Sequence, residues 1–465
     1  MTAETRIENG SVPLPTFRRN NPFIQNLLIS ACLFCNPGLY LAITGLGAGG
    51  GRPSSIVMAD TSNGILYGVF VLSTLMGGTT ISFLGPRTTA MLGVTGYPVY
   101  ISGLWYFDAT GDLWFPVLAG AYLGLTAGCL QTTAKFIANN YAEEKDKGLW
   151  AAIQWCGNAC GAMIGAIVAF GLNLHTESVG VPNSVYIIFI VIQSCSVGLA
   201  ALMCPTDQLI RPDGTKVAKF DHVPIKESLK GLLNVLKDRR ILLMLPTFLS
   251  VEAFVVLQSS MNAYVYNLRT RSLNNILTNI IQFPFSLALA YFVLDNERLG
   301  TRKRRGLIAV SLDAVWITGS YIAQTVWLSS WKFNRMVPGP GIDWTDDAYP
   351  GAIVIYLCYG AQSGIFQNTV LWILGSLSND PVTIGNYSGL YVVVLSAGTA
   401  VSFGLDASLV SYMSENTTWF VLATTTWPIL AFMVSNFVVD SNYFKEDSVF
   451  APQHILDNPY LRYLN

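Results

Sequence analysis

The chain has 465 residues and a formal net charge of -1, with 52% hydrophobic and only 12% charged residues. Soluble globular domains carry roughly 25% charged residues, so a soluble fold could not keep this much apolar surface away from water. The basic residues lie in loops between apolar runs and form no continuous face, which argues against nucleic-acid binding. The composition predicts an integral membrane protein surrounded by the lipid bilayer.

Apolar runs of about 20 residues, the length an α-helix needs to cross the hydrocarbon core, recur along the chain. We place twelve spans, near 23–48, 61–84, 88–107, 113–138, 149–172, 185–204, 241–266, 273–294, 307–329, 351–375, 382–404 and 418–439. The predicted fold is an all-α bundle with a tail at 1–22, a six-helix half at 23–204, a central loop at 205–240, a second six-helix half at 241–439 and a tail at 440–465. The first tail lacks the apolar core of a signal peptide, so we expect the first helix to stay as an uncleaved anchor.

Basic residues are unevenly distributed over the two predicted sides of the membrane. Of the 27 lysines and arginines, the only ones opposite the tails are Arg52, Arg269, Arg271, Lys332 and Arg335. Positive charge is retained in the cytosol, so both tails are predicted to be cytosolic, in the plasma membrane or an endomembrane. On the other side, Asn416-Thr417-Thr418 is an acceptor sequence for N-glycosylation, which could be used or unused.

Polar residues interrupt the first and fourth spans. The first contains Asn36-Pro37-Gly38, which either exposes backbone groups to a transported substrate or is only a structural kink. In the fourth span Gln131 shares a stripe with Lys135, and we expect this lysine to reach the cytosolic interface with its long side chain.

The fifth span carries a stripe of amides and glycines. Gln154 and Asn158 lie on the same face as the repeat Gly157, Gly161 and Gly165. Such a stripe is typical of two helices in close contact, with polar side chains that strengthen the packing. The two amides could instead line a central cavity.

Glu252 lies near the middle of the seventh span, where an ionised carboxylate would cost several kcal/mol unless it were paired or protonated. Ser259 shares its helical face, and Asn262 lies nearby. The acid could bind and release a proton during a conformational cycle, or it could be a hydrogen-bonded structural group.

The tenth span adds polar side chains from the second half. Gln367 lies on a stripe with two glycines, and Gln362 flanks that stripe. A central cavity needs polar side chains from both halves, although packing seams would show the same pattern. The candidate substrate-binding residues are Asn36, Gln131, Gln154, Asn158, Glu252, Ser259, Asn262, Gln362 and Gln367.

The loop between the eighth and ninth spans, 295–305, combines acidic, glycine and basic residues. It is similar to the signature of the major facilitator superfamily, in which loop charges latch neighbouring helix ends and help to gate the cytosolic side. This makes Asp295, Arg298, Gly300 and Arg302 candidate gating residues, with Arg87 as their first-half counterpart. A loop that only anchors positive charge in the cytosol would look the same.

Several longer stretches occur in a characteristic order: 141–148 followed by 152–155, then 170–173, 181–186, 211–215 and 268–274. Together they resemble the Unc-ninety-three-like branch of the major facilitator superfamily, particularly its fungal members. The resemblance implies a facilitator-type fold of about twelve helices. Some relatives look like transporters, and others are associated with regulating potassium channels or escorting membrane receptors.

Two functions follow as hypotheses. In the first, the two halves rock about a central site and move a small solute or ion, with Glu252 as the proton-coupling candidate. In the second, the protein does not transport but binds a channel or receptor as a regulator or escort. An enzyme is not expected, because the three histidines show no metal-ligand spacing and the chain has no phosphate-binding loop. We expect a monomer without a cofactor or metal.

Overall fold

The computed structural model describes residues 15, 17–45, 55–173, 183–217, 234–331, 333–335, 337, 339–443, 446 and 449–456. The first half contains α1 (Pro22–Leu33, Phe34–Gly38 and Leu39–Gly45), α2 (Ser55–Leu75, continued by 77–84), α3 (86–94, continued by Gly96–Thr110), α4 (Trp114–Asn140), α5 (Lys147–Asn173) and α6 (Asn183–Ala201). The second half contains α7 (Arg239–Ser250 and Ala253–Val265), α8 (Leu268–Leu289 and Ala290–Leu294), α9 (Arg302–Trp331), α10 (Tyr349–Ser376), α11 (Pro381–Ala407) and α12 (Tyr412–Phe437). The predicted all-α bundle of two six-helix halves is confirmed.

Not every one of these helices is apolar enough to cross a membrane by its own composition. Within the described residues, 8 helices are long and apolar enough to cross a membrane. The number rises to 9 if α2 and α3, which are bent by 78° relative to each other, form one span. The remaining two are α4 and α10, which contain several glycine and amide residues and are largely buried among other helices. Because their neighbours shield them from lipid, these two helices can carry polar residues that a lipid-facing helix could not.

Short polar side chains and prolines mark where several helices begin. The Asn21 side chain accepts a hydrogen bond from the Phe23 amide, with Pro22 at the first helical position. Asp380 accepts in the same way from Thr383 and is followed by Pro381. A capping oxygen satisfies one free N–H of the first turn, and proline has no N–H to leave unpaired.

Two helices deviate from regular α geometry in the middle of the bundle. In α1 the predicted interruption is a π-helical turn, Phe34–Gly38, so the helix widens at Pro37 but does not unwind. In α7 the helix is interrupted at Val251 and Glu252, and Glu252 has φ -121° and ψ -7°. The break in α7 was not predicted, because no proline or glycine occurs there.

The glycine stripe of α5 packs directly against α1. A Cβ atom on Gly157 would lie 2.2 Å from Ser30 Oγ, and one on Gly161 would lie 2.2 Å from the Phe34 carbonyl oxygen. The Ser30 hydroxyl also donates to the Ile153 carbonyl at 3.0 Å. The stripe therefore lets two backbones approach closely, as the small-residue pattern predicts.

We expect Gly161→Ala to lower the thermal unfolding midpoint of the purified protein, because the added methyl group would collide with backbone atoms of α1. Overpacking of this kind costs about 1–3 kcal/mol. Gly171→Ala is the matched control, since it lies on the same helix with nothing within 4 Å of its Cβ position. Equal unfolding midpoints for the two variants would contradict this account of the seam.

Candidate functional site

A cavity of about 180 Å³ lies between the two halves. A single water molecule needs only roughly 10–15 Å³, so the cavity has room for a small solute. The lining residues come from α1 to α5 of the first half and from α7, α10 and α11 of the second. Within the described residues, no group of three or more His, Cys, Asp or Glu side chains could hold a metal ion.

The structure brings together many of the candidate substrate-binding residues. Those that line the cavity are Gln131, Gln154, Asn158, Glu252 and Gln367. Gln154 is held in place by its Nε2, which donates to Asn26 Oδ1 and to the Ala134 carbonyl, both at 2.8 Å. The Glu252 carboxylate accepts a hydrogen bond from Gln367 Nε2, so an acid of α7 is paired with an amide of α10.

The other candidates lie outside this cavity. Asn36 is buried against α6, where its Nδ2 donates to Ser196 Oγ at 2.8 Å. Gln362 is buried within the second half, and Asn262 is buried beside α8, where it accepts a hydrogen bond from Asn274 at 2.9 Å. Ser259 is exposed on the outside of α7.

The position of Ser259 has a simple physical reason. Its predicted place on the face of Glu252 assumed a continuous helix with 100° per residue. The interruption of α7 at Glu252 breaks that regular rotation, so the two side chains point in different directions. Side-chain directions that are predicted from a regular helix do not hold beyond a break that the sequence does not mark.

Lys135 is the main lining residue that the sequence analysis placed elsewhere. It was expected to reach the membrane interface, but its side chain lines the cavity and is 9% exposed. The end of α4 is buried on all sides by neighbouring helices, which leaves the lysine no path to the interface. It interacts electrostatically with Glu252, so one basic and one acidic group face a common space from opposite halves.

Aromatic side chains form much of the remaining wall. The set consists of Tyr40, Tyr67, Phe70, Tyr97, Trp155 and Tyr391. Trp155 also connects the halves, because its Nε1 donates to Gln282 Oε1 of α8 at 2.8 Å. The sequence carried no signal for these residues, since aromatic side chains are common throughout the spans.

One face of the bundle is closed by direct contacts between the halves. We call it the terminal face; it carries 17–21, 141–146 and 441–443, all joined through hydrogen-bonded loops. There the Lys147 ammonium donates to the Gly375 carbonyl at 2.6 Å and to Asn379 Oδ1 at 2.7 Å. Both acceptors belong to the second half, so a lysine of α5 ties the two halves together.

Glu144 is the centre of the same closure. Its Oε1 accepts from Asn379 Nδ2 at 2.7 Å and from the Asn442 amide at 2.8 Å. The Arg302 guanidinium lies 3.4 Å from that oxygen and 5.4 Å from the centre of the Trp372 ring. A single carboxylate of the first half thus contacts the start of α9, the loop after α10 and the C-terminal tail.

Asp295 adds a separate contact across the halves. Its carboxylate accepts from the backbone amides of Gly148 at 3.1 Å and Leu149 at 2.6 Å, at the start of α5. Free N–H groups and the helix dipole make this end of a helix attractive to an anion. Trp372 Nε1 donates to the same carboxylate at 3.2 Å.

Among the residues that the structure describes, the remaining candidate gating residues have no such contact across the halves. Arg298 is exposed, and Gly300 has φ 103°, a backbone conformation that favours glycine and turns the chain into α9. Arg87 follows the kink at Gly85, which has φ 76°, and it is only partly buried. Within the described part of the chain, Asp295 and Arg302 contact the first half, and Arg87, Arg298 and Gly300 make no contact between the halves.

The acceptor sequence at Asn416 lies inside α12. The Asn416 side chain is fully buried, donates to Thr325 Oγ1 at 2.9 Å and accepts from the Tyr359 hydroxyl at 3.2 Å. A glycan on this amide would remove those hydrogen bonds and would have no space among the helices. The predicted glycosylation does not fit this placement.

The environment of Asp295 leads to a pH-dependent prediction. Burial raises the pKa of Asp295 to about 7, although the amides of Leu149 and Gly148 act in the opposite direction. The unfolded chain should have the ordinary value near 4, so between about pH 4 and 7 the folded protein holds a proton that the unfolded chain releases. The contribution of Asp295 to the free energy of unfolding should therefore fall as pH rises through this window.

The measurement is the thermal unfolding midpoint of the wild-type protein and of Asp295→Asn from pH 4.5 to 7.5. We expect the midpoint of the wild type, relative to the variant, to fall across this range. Glu297→Gln, an exposed acid in the same loop, should run parallel to the wild type. Parallel curves for Asp295→Asn would show that this carboxyl does not take up a proton in the window.

Comparisons with known proteins identify the family of this chain. Residues 59–281 match the family described as "Ion channel regulatory protein UNC-93". The chain is 39% identical over 436 residues to "Uncharacterized membrane protein C6F6.04c" of Schizosaccharomyces pombe. The alignment covers 93% of this chain and 88% of that protein. It is 30% identical over 439 residues to "UNC93-like protein 1" of Arabidopsis thaliana, with 94% and 95% covered.

A solved structure with the same fold is the E. coli fucose:proton symporter FucP. It aligns with a TM-score of 0.63 at 11% identity and covers 89% of this chain and 98% of its own. At this identity the similarity concerns the fold alone. The resemblance noted in the sequence is confirmed: the chain belongs to the UNC93-like family and has the fold of the major facilitator superfamily.

Proposed function

We propose that this protein is a secondary transporter that moves a small solute by alternating access. The observation that carries the proposal is the cavity between the halves, which has polar side chains from both. A protein that used its bundle only as a rigid surface for a partner would have no need for an ammonium and a carboxylate in its interior. Charges at this depth are expensive and are usually functional.

The contacts of the terminal face define what must change during transport. Lys147, Glu144 and Asp295 hold the halves together on that face, so solute would enter the cavity from the opposite face in this conformation. Opening the terminal face requires these hydrogen bonds to break together while the halves rock about the cavity. Their partners are backbone and side-chain groups that water could replace once the face opens.

We further propose that the terminal face is cytosolic. Most lysines and arginines lie on that side, as the positive-inside rule requires. Two arginines of the opposite side are paired with acids: Arg269 Nε lies 2.5 Å from Asp343, and Arg335 lies 2.7 Å from Asp406 and 2.8 Å from Glu415. These pairs reduce the free positive charge on that side and support the same orientation.

Glu252 is the group we assign to proton coupling. It lies at the break in α7, lines the cavity and touches Gln367 of α10. A carboxyl at a helix break between moving elements can change its exposure to water as the halves rock. Protonation would remove the negative charge that faces Lys135 and would therefore alter the attraction between the halves.

A second candidate function is regulation of an ion channel. Its support is the description of the matched family, "Ion channel regulatory protein UNC-93". This function predicts a stable complex with a channel and no solute flux by the isolated protein. It does not require the charged groups of the cavity.

The test is solute flux into liposomes that contain the purified full-length protein, screened with and without a pH gradient. We expect flux that a proton gradient accelerates, and we expect Glu252→Gln to retain exchange but lose the acceleration. Asp313→Asn is the matched control, because Asp313 is also a buried acid, on α9, but does not line the cavity. It should behave like the wild type.

Different outcomes separate the hypotheses. Flux that Glu252→Gln leaves unchanged in every respect would remove this residue from coupling. Absence of flux over a broad panel, together with stable co-purification of a channel, would overturn the transport proposal in favour of regulation.

A further inference from the structure

The cavity is lined by one basic residue, Lys135 of the first half, and by one acidic residue, Glu252 of the second. The Lys135 ammonium, on a side chain about nine-tenths buried, has no hydrogen-bond partner among the residues that the structure describes. Glu252 receives a hydrogen bond from Gln367 and interacts electrostatically with Lys135. No other lysine, arginine, aspartate or glutamate is among the described lining residues.

An ammonium that faces the cavity without a protein acceptor loses part of its hydration, and it must obtain its hydrogen bonds from water or from a solute in the cavity. The attraction of Glu252 compensates this only in part, since an ammonium has three N–H groups to satisfy. A bound solute that supplied an anionic acceptor would complete the environment of Lys135. The same solute would separate Lys135 from Glu252 and would then leave the carboxylate in need of a cation.

The rest of the wall offers apolar surface beside this pair of charges. Tyr40, Tyr67, Phe70 and Tyr97 belong to the first half, and Leu395 of α11 lies on the other side. Tyr40 packs edge-on against Tyr97 with ring centres 6.2 Å apart, so the aromatic part of the wall is itself ordered. An apolar group of a solute could be buried there while its charged groups reach the pair.

We propose that the cavity binds a zwitterion of the amino-acid type, with the carboxylate at Lys135, the ammonium at Glu252 and an apolar side chain against the tyrosines. This inference rests on the proposed transport function and names the substrate class of the same site. A solute with only a carboxylate would leave Glu252 without a cation. A solute with only an amine would leave Lys135 without an anion. A neutral solute would separate the two charges and replace neither interaction.

The test measures binding to the purified full chain, independently of transport, by the shift in thermal unfolding midpoint and by calorimetry. The probes form two matched sets: phenylalanine with phenethylamine and hydrocinnamate, and leucine with isoamylamine and isocaproate. Within each set only the charged groups differ. We expect at least one zwitterion to bind about tenfold or more tightly than both of its singly charged analogues, because each lost charge removes a charge-assisted hydrogen bond.

Variants of Lys135 and Glu252 test which charged group of the solute binds at each residue. Lys135→Met should weaken zwitterion binding and favour the amine, whereas Glu252→Gln should weaken it and favour the acid. Lys135→Arg keeps the positive charge and should retain more zwitterion binding than Lys135→Met. Asp313→Asn should bind like the wild type, and size-exclusion chromatography checks that every variant is folded.

Each result bears on a separate proposal. Failure of both zwitterions to bind, or equal binding of either singly charged analogue, overturns the substrate class even if flux of another solute shows transport. Preference for the zwitterion, with the opposite shifts in the two charge variants, supports the class even if liposomes show no flux and the transport proposal fails.

Discussion

The closure of the terminal face depends on a few hydrogen bonds between the two halves. Glu144 and Lys147 of the first half reach the loop after α10, and Asp295 of the second half reaches the start of α5. These contacts use charged groups against backbone and amide partners, which water can replace. In the proposed transport cycle, water would replace these partners as the halves separate.

In the middle of the bundle, at the depth of the hydrocarbon core, the surrounding lipid offers no hydrogen bonds. Polar groups there cannot rely on water, so they must pair with one another or face a cavity. This explains why polar side chains such as Lys135 and Gln367 lie on α4 and α10, which are largely buried among other helices. Some buried polar side chains face the cavity between the halves, and others, such as Asn36 with Ser196 and Asn416 with Thr325, pair within one half.

The helices follow from the sequence more directly than the directions of their side chains. Gln131, Gln154 and Asn158, for which the sequence left a packing seam and a cavity open, line the cavity on regular stretches of α4 and α5. The direction predicted for Ser259 does not hold because α7 is interrupted at Glu252, and that for Lys135 does not hold because the length of a side chain does not show what surrounds it. The partners of Glu144 and Lys147 could not be predicted, because they lie far away in the sequence.

By itself the sequence determined the number of helices, their grouping into two halves, the uneven placement of basic residues and the family. These properties follow from local composition and spacing, which act within single helices and loops. Only the tertiary structure decided which polar residues share one cavity, that Lys135 faces Glu252, and that Asn416 is enclosed by helices. Those facts depend on how helices rotate and pack against distant neighbours, and the energy of such contacts is not encoded in any one segment.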